Sequence, residues 1–550
     1  MPEDANFAAT LSAQARARPT AHALIQPGRR RLAGAARWHR VTFAQLDDRS
    51  NRYADGLARA GVRRGDRVLY LLWPSADGYA VFYGLLRLGA VPAIIDPRMG
   101  LRRFLACVEA LRPRGVVALP LLHALRVLAP RPFASAEVLI TAGHRWFWGG
   151  RTLRQCLSEQ ALVPELTAPE ADCFIPFTSG STGPAKAVYY DHETVRQQVA
   201  RLREASGWRE GMKVVMGFAP FVPYALADGL TVILPDMDFS RPAVAKPGRV
   251  LAAITDHQAE CAFASPIVWV NLARHCERHQ LTLGPLTHAI TAGAPVPIDL
   301  HRRLGRLMGA GGKLFTPYGA TEALPVTAAA SDGLTETWEQ TRGGYGTCVG
   351  TPVSGIEVRI IRVTDEPVPT WSDDLCVPQG AIGEIVVGGP IVSPAYLDRP
   401  DDTARSKIHR NGQVLHRMGD LGRLDATGRL WFCGRKSHRI ETSAGMLAPV
   451  PIENIFNQHP RVFRTAVVGV GPAGNQTPVA CVEMEEGETY SPGLEAELLA
   501  LAEPTCFRGS VRRFLPQRGF PVDARHNSKI RREELAGWAT RVIAGEAGRR

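Results

Sequence analysis

The sequence lacks several patterns that would assign a chain to a class at once. Its ten cysteines are scattered, with no C-x-x-C pair and no histidine cluster at zinc-ligand spacing, so no zinc or dithiol motif is indicated. Cys107, Cys173, Cys261 and Cys433 lie in apolar runs, as expected of reduced, buried thiols. Internal repeats and low-complexity tracts are also missing. The 550-residue chain, 45% apolar and 21% charged, is therefore expected to form several globular cores.

Long hydrophobic runs are absent as well. The most apolar stretch, 68–97, is interrupted by Pro74, Asp77 and Arg87, so it predicts a strand, a buried helix and a second strand and not a membrane span. Residues 1–20 have no apolar core of the signal-peptide type. We therefore expect a soluble, cytoplasmic protein with no transmembrane segment.

The positive charge is not concentrated. The formal charge of +12 comes mainly from arginines spread along the chain, and only short runs such as 28–31 stand out. A nucleic-acid-binding face should combine clustered basic residues with exposed aromatic ones. The pattern argues against nucleic acid as a partner, while a mildly positive field favours ATP and an acidic substrate.

Strand-like apolar runs alternate with helical patterns through the first half of the chain. Runs at 68–73, 93–97 and 115–118 are separated by helical periodicity, most clearly at 101–111. Such alternation predicts βαβ units and parallel sheets. The fold class is therefore α/β, with a large N-terminal body of doubly wound α/β subdomains.

The pattern changes twice further along the chain. Short alternating strands at 355–363 and 383–388 predict a small β subdomain within the body. Beyond about Arg435, strands near 467–470 and 479–483 and a final polar helix predict a small α+β C-terminal domain.

The clearest chemical signal is the segment 177–186, which reads Phe-Thr-Ser-Gly-Ser-Thr-Gly-Pro-Ala-Lys and follows a strand-like run. Ligands of α/β sheets bind where strands end, and hydroxyl and backbone N–H groups can wrap a polyphosphate. It is not a Walker A loop, because no glycine directly precedes Lys186 and no serine or threonine follows it. A flexible linker would not carry Pro184 and Lys186 at this spacing after a buried strand.

This segment resembles the phosphate loop of the adenylate-forming superfamily, which includes acyl-CoA synthetases, peptide-synthetase adenylation domains and luciferases. Other segments resemble its motifs in the same order, namely 317–322, 419–422, 434–435 and 527–532. The resemblance covers nearly the whole chain. It implies an AMP-binding adenylation domain at residues 1–435 and a mobile lid domain at residues 436–550 that carries the catalytic lysine.

The resemblance also implies roles for single residues, with ATP and Mg²⁺ as the ligands they serve. The phosphates of ATP are expected on Thr178, Ser179, Gly180, Ser181, Thr182, Gly183 and Lys186. The rest of the nucleotide is expected near Gly293, Ala294, Pro295, Tyr318, Gly319 and Arg435. Glu322 is expected to bind Mg²⁺ as part of the catalytic set, Thr321 to contact the α-phosphate, and Asp420 to accept the ribose hydroxyls. Lys529 is expected to stabilise the charge that builds between carboxylate and α-phosphate.

Each of these residues has a structural alternative. Asp420 could be a turn carboxylate, Glu322 a charge at a helix N-terminus, and Lys529 a solvated lysine. Five motifs in the family's order are hard to explain in that way.

Several segments resemble one branch of the superfamily, the β-lactone synthetases of bacterial olefin biosynthesis. They are 145–150, 234–238, 430–439 and 522–529, with Tyr190 and His192 after the phosphate loop. Those enzymes adenylate a 2-alkyl-3-hydroxy fatty acid, and the substrate's own hydroxyl then closes the lactone and releases AMP. The branch implies, as partners, a thiolase-like condensing enzyme, a ketone reductase and a lactone decarboxylase.

Two assignments within this branch stay open. His192 is a candidate catalytic base for the hydroxyl, or else a packing or capping residue. The expected acyl pocket consists of Phe218, Phe221, Tyr224 and Phe263, which could equally be core.

The sequence departs from the superfamily pattern at Ala187 and Ser528, where glycine is usual, and it lacks the usual acidic hinge residue at 435–438. The change at Ala187 puts close backbone packing in question, not the reaction. Two alternative functions remain. One is an acyl-CoA ligase, with an acyl-AMP ligase feeding a carrier protein as its variant, and the other is a non-enzymatic nucleotide-binding protein.

Overall fold

The computed structural model describes residues 4–28, 38–162, 166–178, 185–294, 296–522 and 529–547. Its N-terminal part contains two seven-stranded sheets. Their strands, in chain order, are β1 (His22–Pro27), β2 (Trp38–Thr42), β3 (Arg67–Leu71), β4 (Val91–Ile94), β5 (Gly115–Ala118), β6 (Val138–Thr141), β7 (Arg151–Thr152), β8 (Asp172–Pro176), β9 (Tyr190–Asp191), β10 (Lys213–Met216), β11 (Thr231–Ile233), β12 (Cys261–Phe263), β13 (His288–Ile290) and β14 (Lys313–Phe315). The helices of this part are α1 (Ala8–Ala17), α2 (Phe43–Arg59), α3 (Ala76–Arg87), α4 (Leu101–Leu111), α5 (Pro120–Leu128), α6 (His192–Ser206), α7 (Val222–Ala227), α8 (Pro247–Asp256), α9 (Pro266–Arg278) and α10 (Ile298–Leu307).

The two sheets share one plan. The first runs β14-β13-β12-β10-β11-β1-β2, and the second runs β7-β6-β5-β3-β4-β8-β9. Neighbouring strands are parallel except in the antiparallel edge pairs β1–β2 and β8–β9. Parallel strands covered on both faces are apolar throughout, as in β5, where every residue is buried. The predicted βαβ body is confirmed.

Helix α3 belongs to the core that links the two sheets. All residues of α3 except the exposed Asp77 are buried, which fits its largely apolar sequence. Phe82 packs edge-on against Phe174 of β8, with ring centroids 5.7 Å apart. The Tyr83 hydroxyl donates to the carbonyl of Pro223 in α7, at 3.2 Å. Through α3, these two contacts connect β8 of the second sheet to α7, which packs beside the first sheet.

The predicted β subdomain follows these sheets. Its strands are β15 (Tyr318–Ala320), β16 (Ala323–Ala328), β17 (Thr347–Cys348), β18 (Thr351–Pro352), β19 (Glu357–Ile361), β20 (Gly383–Gly388), β21 (Lys407–Arg410), β22 (Gln413–Leu424) and β23 (Leu430–Arg435). Its helices are α11 (Ser331–Leu334), α12 (Trp338–Arg342) and α13 (Pro400–Ser406). One sheet has the order β17-β23-β22-β20-β19, with β21 beside β22, and another has the order β15-β16-β18. The antiparallel register of β22 and β23 sets Asp420 opposite Arg435.

The C-terminal part is α+β, as predicted. It contains β24 (Ile440–Thr442), β25 (Gly445–Leu447), β26 (Val462–Val470), β27 (Thr477–Met484) and β28 (Phe514–Pro516), with α14 (Pro449–Phe456), α15 (Pro492–Ala502) and α16 (Arg532–Ala547). Ile455, Val467 and Leu498 belong to a core made of residues from this part alone. Within the described ranges no helix is long and apolar enough to cross a membrane.

The sequence predictions match many element bounds closely. The helix at 101–111 and the strands at 115–118 and 383–388 agree to the residue. The strand expected at 93–97 ends earlier, at Ile94, because Pro97 begins a short 3₁₀ turn that the side chain of Asp96 caps.

Candidate active site

A cavity of about 1290 Å³ follows the carboxyl ends of both seven-stranded sheets. Thr178, shortly after β8, lines it beside the second sheet. Phe218, Phe263 and Gly293, which follow or end strands β10, β12 and β13, line it beside the first. Parallel α/β sheets bind ligands at this edge. Segments far apart in the sequence therefore converge on one space.

The two ends of the predicted phosphate loop are tied together at the edge of the cavity. The backbone N–H of Thr178 donates to the carbonyl of Lys186 at 2.9 Å, and the N–H of Lys186 donates to Oγ1 of Thr178 at 3.0 Å. Phe177 and Ala187 form an antiparallel bridge just outside this pair. The loop residues predicted to hold phosphates, Ser179, Gly180, Ser181, Thr182 and Gly183, lie outside the described residues.

Lys186 and Glu322 meet around one tyrosine that the sequence analysis did not single out. The Tyr396 hydroxyl donates to Oε1 of Glu322 at 2.6 Å, and the Lys186 ammonium lies 4.8 Å from the centre of the Tyr396 ring. Asp402 of α13 holds the same ammonium at 3.0 Å. Lys186, Glu322 and Tyr396 all line the cavity, and contacts within the protein hold each of them in place.

Nearby, Lys407 carries a second positive group. It is almost fully buried, and its ammonium donates to the carbonyl and hydroxyl of Ser393 at 2.6 and 3.2 Å. Burial lowers the pKa of Lys407 to about 7, and the neighbouring charge of Glu322 opposes that shift.

Glu322 fits the role of a magnesium ligand. Among the described residues no group of three or more histidines, cysteines or carboxylates could hold a metal. Mg²⁺, however, is usually held by one or two carboxylates together with substrate phosphates and water. The Glu322 carboxylate, next to the end of the phosphate loop, meets that requirement. The Tyr396 hydroxyl contacts only its Oε1.

Asp420 lies between two cavity-lining side chains. Its Oδ2 accepts the Tyr318 hydroxyl at 2.7 Å, and its Oδ1 lies 2.9 Å from the Arg435 guanidinium. Burial raises the pKa of Asp420, while Arg435, the Tyr318 hydroxyl and Lys529 oppose the shift. The carboxylate is thus oriented in advance, as a group that receives ribose hydroxyls would need to be.

Lys529 reaches the same cavity from the C-terminal part. Val522 and Ile530 form an antiparallel bridge that returns the chain to this place. Arg532, two residues after Ile530, pairs with buried Glu453 at 2.8 Å and so fixes the start of α16. Lys529 lies close enough to Asp420 to oppose the rise in its pKa.

Most of the other residues that were predicted to bind the nucleotide also line the cavity. Thr321 lines the cavity, and its carbonyl accepts the Tyr190 hydroxyl. Gly319 also lines it, and a Cβ there would lie 2.8 Å from the carbonyl oxygen of Ala323. Gly293 lines it with a positive φ of 94°, whereas Ala294 is not among its lining residues. Pro295 lies outside the described residues.

The four residues predicted for the acyl pocket do line the cavity together. The ring of Phe221 lies 4.9 Å from Phe263, 5.3 Å from Tyr224 and 5.4 Å from Phe218, measured between centroids. Buried Tyr224 satisfies its hydroxyl by donating to Oε1 of Gln198 at 2.7 Å. The result is an aromatic wall with its polar atoms turned away.

The structure does not bring His192 to this cavity. The side chain is 1% exposed, and Nδ1 accepts the backbone N–H of Phe7 at 2.9 Å. Burial lowers its pKa to about 4. Asp191, not His192, caps helix α6 by accepting from the N–H of Thr194 at 2.6 Å. This geometry favours the packing alternative, in which His192 fastens the N-terminal segment to the body.

The departure at Ala187 is accommodated. Its side chain is buried in the core of the second sheet, and its carbonyl accepts the N–H of Leu397 at 2.9 Å. The extra methyl group is therefore packed, and the backbone pairing that a glycine would allow is still made.

The junction between the two predicted domains is pinned to the β subdomain. The ammonium of Lys436 lies 3.1 Å from Glu384 and donates to the carbonyl of Thr364 at 3.0 Å. Glu384 also pairs with buried Arg417 at 2.7 Å. The predicted boundary at 435 thus coincides with an ion-pair network, and the division into two domains stays a prediction.

Comparisons with known proteins show the family of the chain. The chain matches the family described as AMP-binding enzyme over residues 11–397. It is 41% identical to an olefin beta-lactone synthetase of Stenotrophomonas maltophilia over 98% of this chain and 99% of that protein. It is 40% identical to an olefin beta-lactone synthetase of Xanthomonas campestris pv. campestris over 97% of each chain.

Solved structures share the fold. The anthranilate CoA ligase AuaEII, in complex with anthranoyl-AMP, superimposes with a TM-score of 0.82 at 19% identity, over 99% of both chains. The amide bond synthetase McbA of Marinactinospora thermotolerans gives 0.79 at 23% identity, over 97% of this chain and 99% of that one. On the family match and on relatives that align along almost its whole length, this chain belongs to the AMP-binding, adenylate-forming enzymes.

Proposed function

We propose that this enzyme activates a 2-alkyl-3-hydroxy fatty acid with ATP as an acyl-adenylate and then closes it to a β-lactone. The single observation that carries the proposal is full-length identity of about 40% to two olefin beta-lactone synthetases, over a chain whose cavity joins a nucleotide end to an apolar one. The product of each turnover is a β-lactone, with AMP and pyrophosphate released.

Activation makes the carboxylate a competent electrophile. A carboxylate oxygen attacks the α-phosphorus of ATP, the bond to the bridging oxygen of pyrophosphate breaks, and a mixed anhydride forms. The ammonium of Lys529 stabilises the negative charge that builds between carboxylate and α-phosphate. Asp420 holds the ribose, Thr321 lies at the α-phosphate, and Lys186 at the departing phosphates. These roles rest on the shared cavity and on the resemblance of the motifs.

Mg²⁺ would be held by Glu322 and would neutralise phosphate charge when bound. Tyr396 orients the Glu322 carboxylate through its hydroxyl. The lysine beside them, Lys186, is held between Asp402 and the Tyr396 ring, which keeps it from pairing with Glu322 itself.

Ring closure needs no second substrate. The 3-hydroxyl oxygen attacks the activated carbonyl carbon, the carbon–oxygen bond to AMP breaks, and the hydroxyl proton passes to water, directly or through the departing AMP phosphate. Since nucleophile and electrophile are in one molecule, orientation supplies most of the advantage. The wall formed by Phe218, Phe221, Tyr224 and Phe263 would hold one alkyl chain of the substrate and keep water from hydrolysing the anhydride.

Product identification tests the proposal. The enzyme is mixed with Mg-ATP and a 2-alkyl-3-hydroxy fatty acid, with and without CoA, and the products are identified by mass spectrometry and NMR. A β-lactone and AMP formed in equal amounts without CoA are expected. An acyl-CoA that forms only when CoA is present would overturn lactone closure and leave adenylation standing.

Three further points are proposals. The C-terminal part is proposed to reorient between steps as a lid. A thiolase-like enzyme, a ketone reductase and a lactone decarboxylase are proposed as pathway partners. A cytoplasmic location is proposed from the sequence pattern.

A further inference from the structure

The apolar lining of the cavity falls into two groups, one beside each seven-stranded sheet, which are called its limbs below. The aromatic limb is the cluster of Phe218, Phe221, Tyr224 and Phe263 at the first sheet. The leucine limb follows the carboxyl edge of the second sheet, past the adjacent strands β8, β4, β3 and β5. Three strand spacings of about 4.8 Å make this edge about 14 Å long. The residues assigned to adenylation leave the leucine limb unused.

The leucine limb is lined by side chains that follow the strands and by helices α4 and α5. The apolar residues of these helices that line it are Leu101, Phe104, Leu121, Leu122, Ala124, Leu125 and Leu128. Phe104 and Leu122 are buried, whereas Leu121 and Leu128 are each 83% exposed. The limb therefore runs from Thr178, after the end of β8, towards the exposed leucines of α5.

Two charged side chains of this limb form an ion pair. Asp96 and Arg98 both line the cavity, and they pair with each other at 2.9 Å. Trp73 and Leu101 also line the cavity and are each about half exposed. Several large apolar side chains exposed around one opening indicate a ligand-binding groove.

We propose that the leucine limb binds the 2-alkyl branch of the substrate, while the aromatic limb binds the chain that carries the 3-hydroxyl carbon. This inference rests on the proposed function. The two chains diverge from neighbouring carbon atoms, so a single channel would have to hold both or leave one in water. Two limbs that diverge from one adenylation site bury both chains.

Holding the chains apart also serves ring closure. Rotation about the bond between C2 and C3 decides whether the hydroxyl faces the activated carbonyl. When each chain occupies its own limb, that rotation is fixed, and the hydroxyl meets the carbonyl in a reactive geometry. The leucine limb is therefore expected to affect the rate of closure as well as substrate affinity.

The test uses two substitutions on the same helix. Ala124 is half-buried and lines the limb, so Ala124→Trp fills it. Val127 is exposed and does not line the cavity, so Val127→Trp adds the same side chain to α5 outside the limb. Each variant and the wild type is assayed for β-lactone formation from a 3-hydroxy fatty acid with a long 2-alkyl branch and from the same acid without the branch.

Ala124→Trp is expected to lower kcat/KM for the branched acid by about tenfold or more, since hydrophobic pockets discriminate by about 10–200-fold per methylene. Its kcat/KM for the unbranched acid should stay within about twofold of wild type, as should both values for Val127→Trp. Equal losses on both acids in a folded Ala124→Trp protein, or no loss on either, would overturn the inference. A loss that follows the length of the hydroxyl-bearing chain would also overturn it.

A second variant guards against misfolding of the first. Leu121 lines the leucine limb and is mostly exposed, so Leu121→Trp should leave the fold intact. With acids of increasing branch length, it should lose activity only for the longest branches, whereas a uniform response would contradict the proposed limb. If wild type makes no β-lactone from either acid, the proposed function falls together with the inference. If it makes lactone from both and no variant distinguishes them, only the inference falls.

Discussion

The nucleotide end of the cavity and its apolar limbs are built in different ways. At the nucleotide end polar side chains are fixed in pairs by the protein, as Asp420 is by Tyr318 and Arg435, and as Glu322 is by Tyr396. The limbs are lined mainly by apolar side chains. The chemistry common to the family should therefore respond to changes of single atoms, and substrate choice to changes of side-chain volume.

The largest effect is expected at Lys529. Lys529→Ala should lower kcat by about 10²–10³-fold, because it removes a positive group from the place where transition-state charge builds. The KM for ATP should change far less. Pyrophosphate release at saturating ATP measures this. Lys313→Ala, at a half-exposed lysine paired with Asp332, is the control and should retain activity. Equal rates in both variants would contradict the role of Lys529.

Asp420→Asn should raise the KM for ATP by about 10–100-fold, since hydrogen bonds to a charged group contribute about 1.5–3 kcal/mol. Asp228 is the matched control, because it too is buried, pairs with an arginine, and accepts an N–H from Trp208 at 2.7 Å. Asp228→Asn should lower the melting temperature without changing the KM for ATP. If both variants changed only stability, Asp420 would be a structural residue like its control.

Tyr396→Phe should lower kcat roughly tenfold and raise the magnesium concentration needed for half-maximal rate, because the hydroxyl that orients Glu322 is lost. Titration of the rate with Mg²⁺ separates this effect from simple destabilisation. Tyr490→Phe removes a similar hydroxyl–carboxylate bond, to Glu495 at 2.8 Å, outside the cavity. It should leave the magnesium dependence unchanged, and an equal shift in both variants would refute the assignment.

The smallest effect on activity is expected at His192. His192→Phe should leave kcat within about twofold and reduce the free energy of unfolding by about 1–3 kcal/mol, because the N–H of Phe7 loses its buried acceptor. His192→Asn offers an amide oxygen near the same place and should recover part of the stability. A large loss of kcat in a stable His192→Asn protein would restore the catalytic-base hypothesis.

The same histidine should make stability depend on pH. Burial lowers its pKa from 6.5 to about 4, so between these values the unfolded chain binds more protons than the folded chain. Stability is therefore full above about pH 6.5 and falls as the pH drops towards 4, by up to about 3 kcal/mol from this group. Urea unfolding across this range should show a smaller acid loss in His192→Asn than in wild type.

Much of the fold and of the nucleotide end could be predicted from the sequence. Parallel strands buried on both faces leave continuous apolar runs, and motifs such as 177–186 are contiguous. Tyr396 and Asp402 could not be found, because they reach Glu322 and Lys186 only through tertiary contacts. The burial of His192 was hidden for the same reason.

The two limbs also differ in how far the sequence predicts them. The aromatic limb follows recognisable strand ends, and its four residues were predicted. The leucine limb depends on how α4 and α5 pack over the second sheet, and the leucines of α5 read in sequence as an ordinary amphipathic helix. Leu121 and Leu128 are exposed and therefore not core residues, but this exposure can be seen only in the folded structure.

The fate of the carboxylate oxygens distinguishes closure through an acyl-adenylate from activation of the hydroxyl. The 2-alkyl-3-hydroxy acid is labelled with ¹⁸O at both carboxylate oxygens, and single-turnover products are analysed by mass spectrometry. Closure through an acyl-adenylate should leave one ¹⁸O in AMP and one in the lactone carbonyl, with the ring oxygen coming from the unlabelled hydroxyl. Unlabelled AMP together with a lactone that retains both ¹⁸O atoms would contradict it, because the hydroxyl and not the carboxylate would then have been activated.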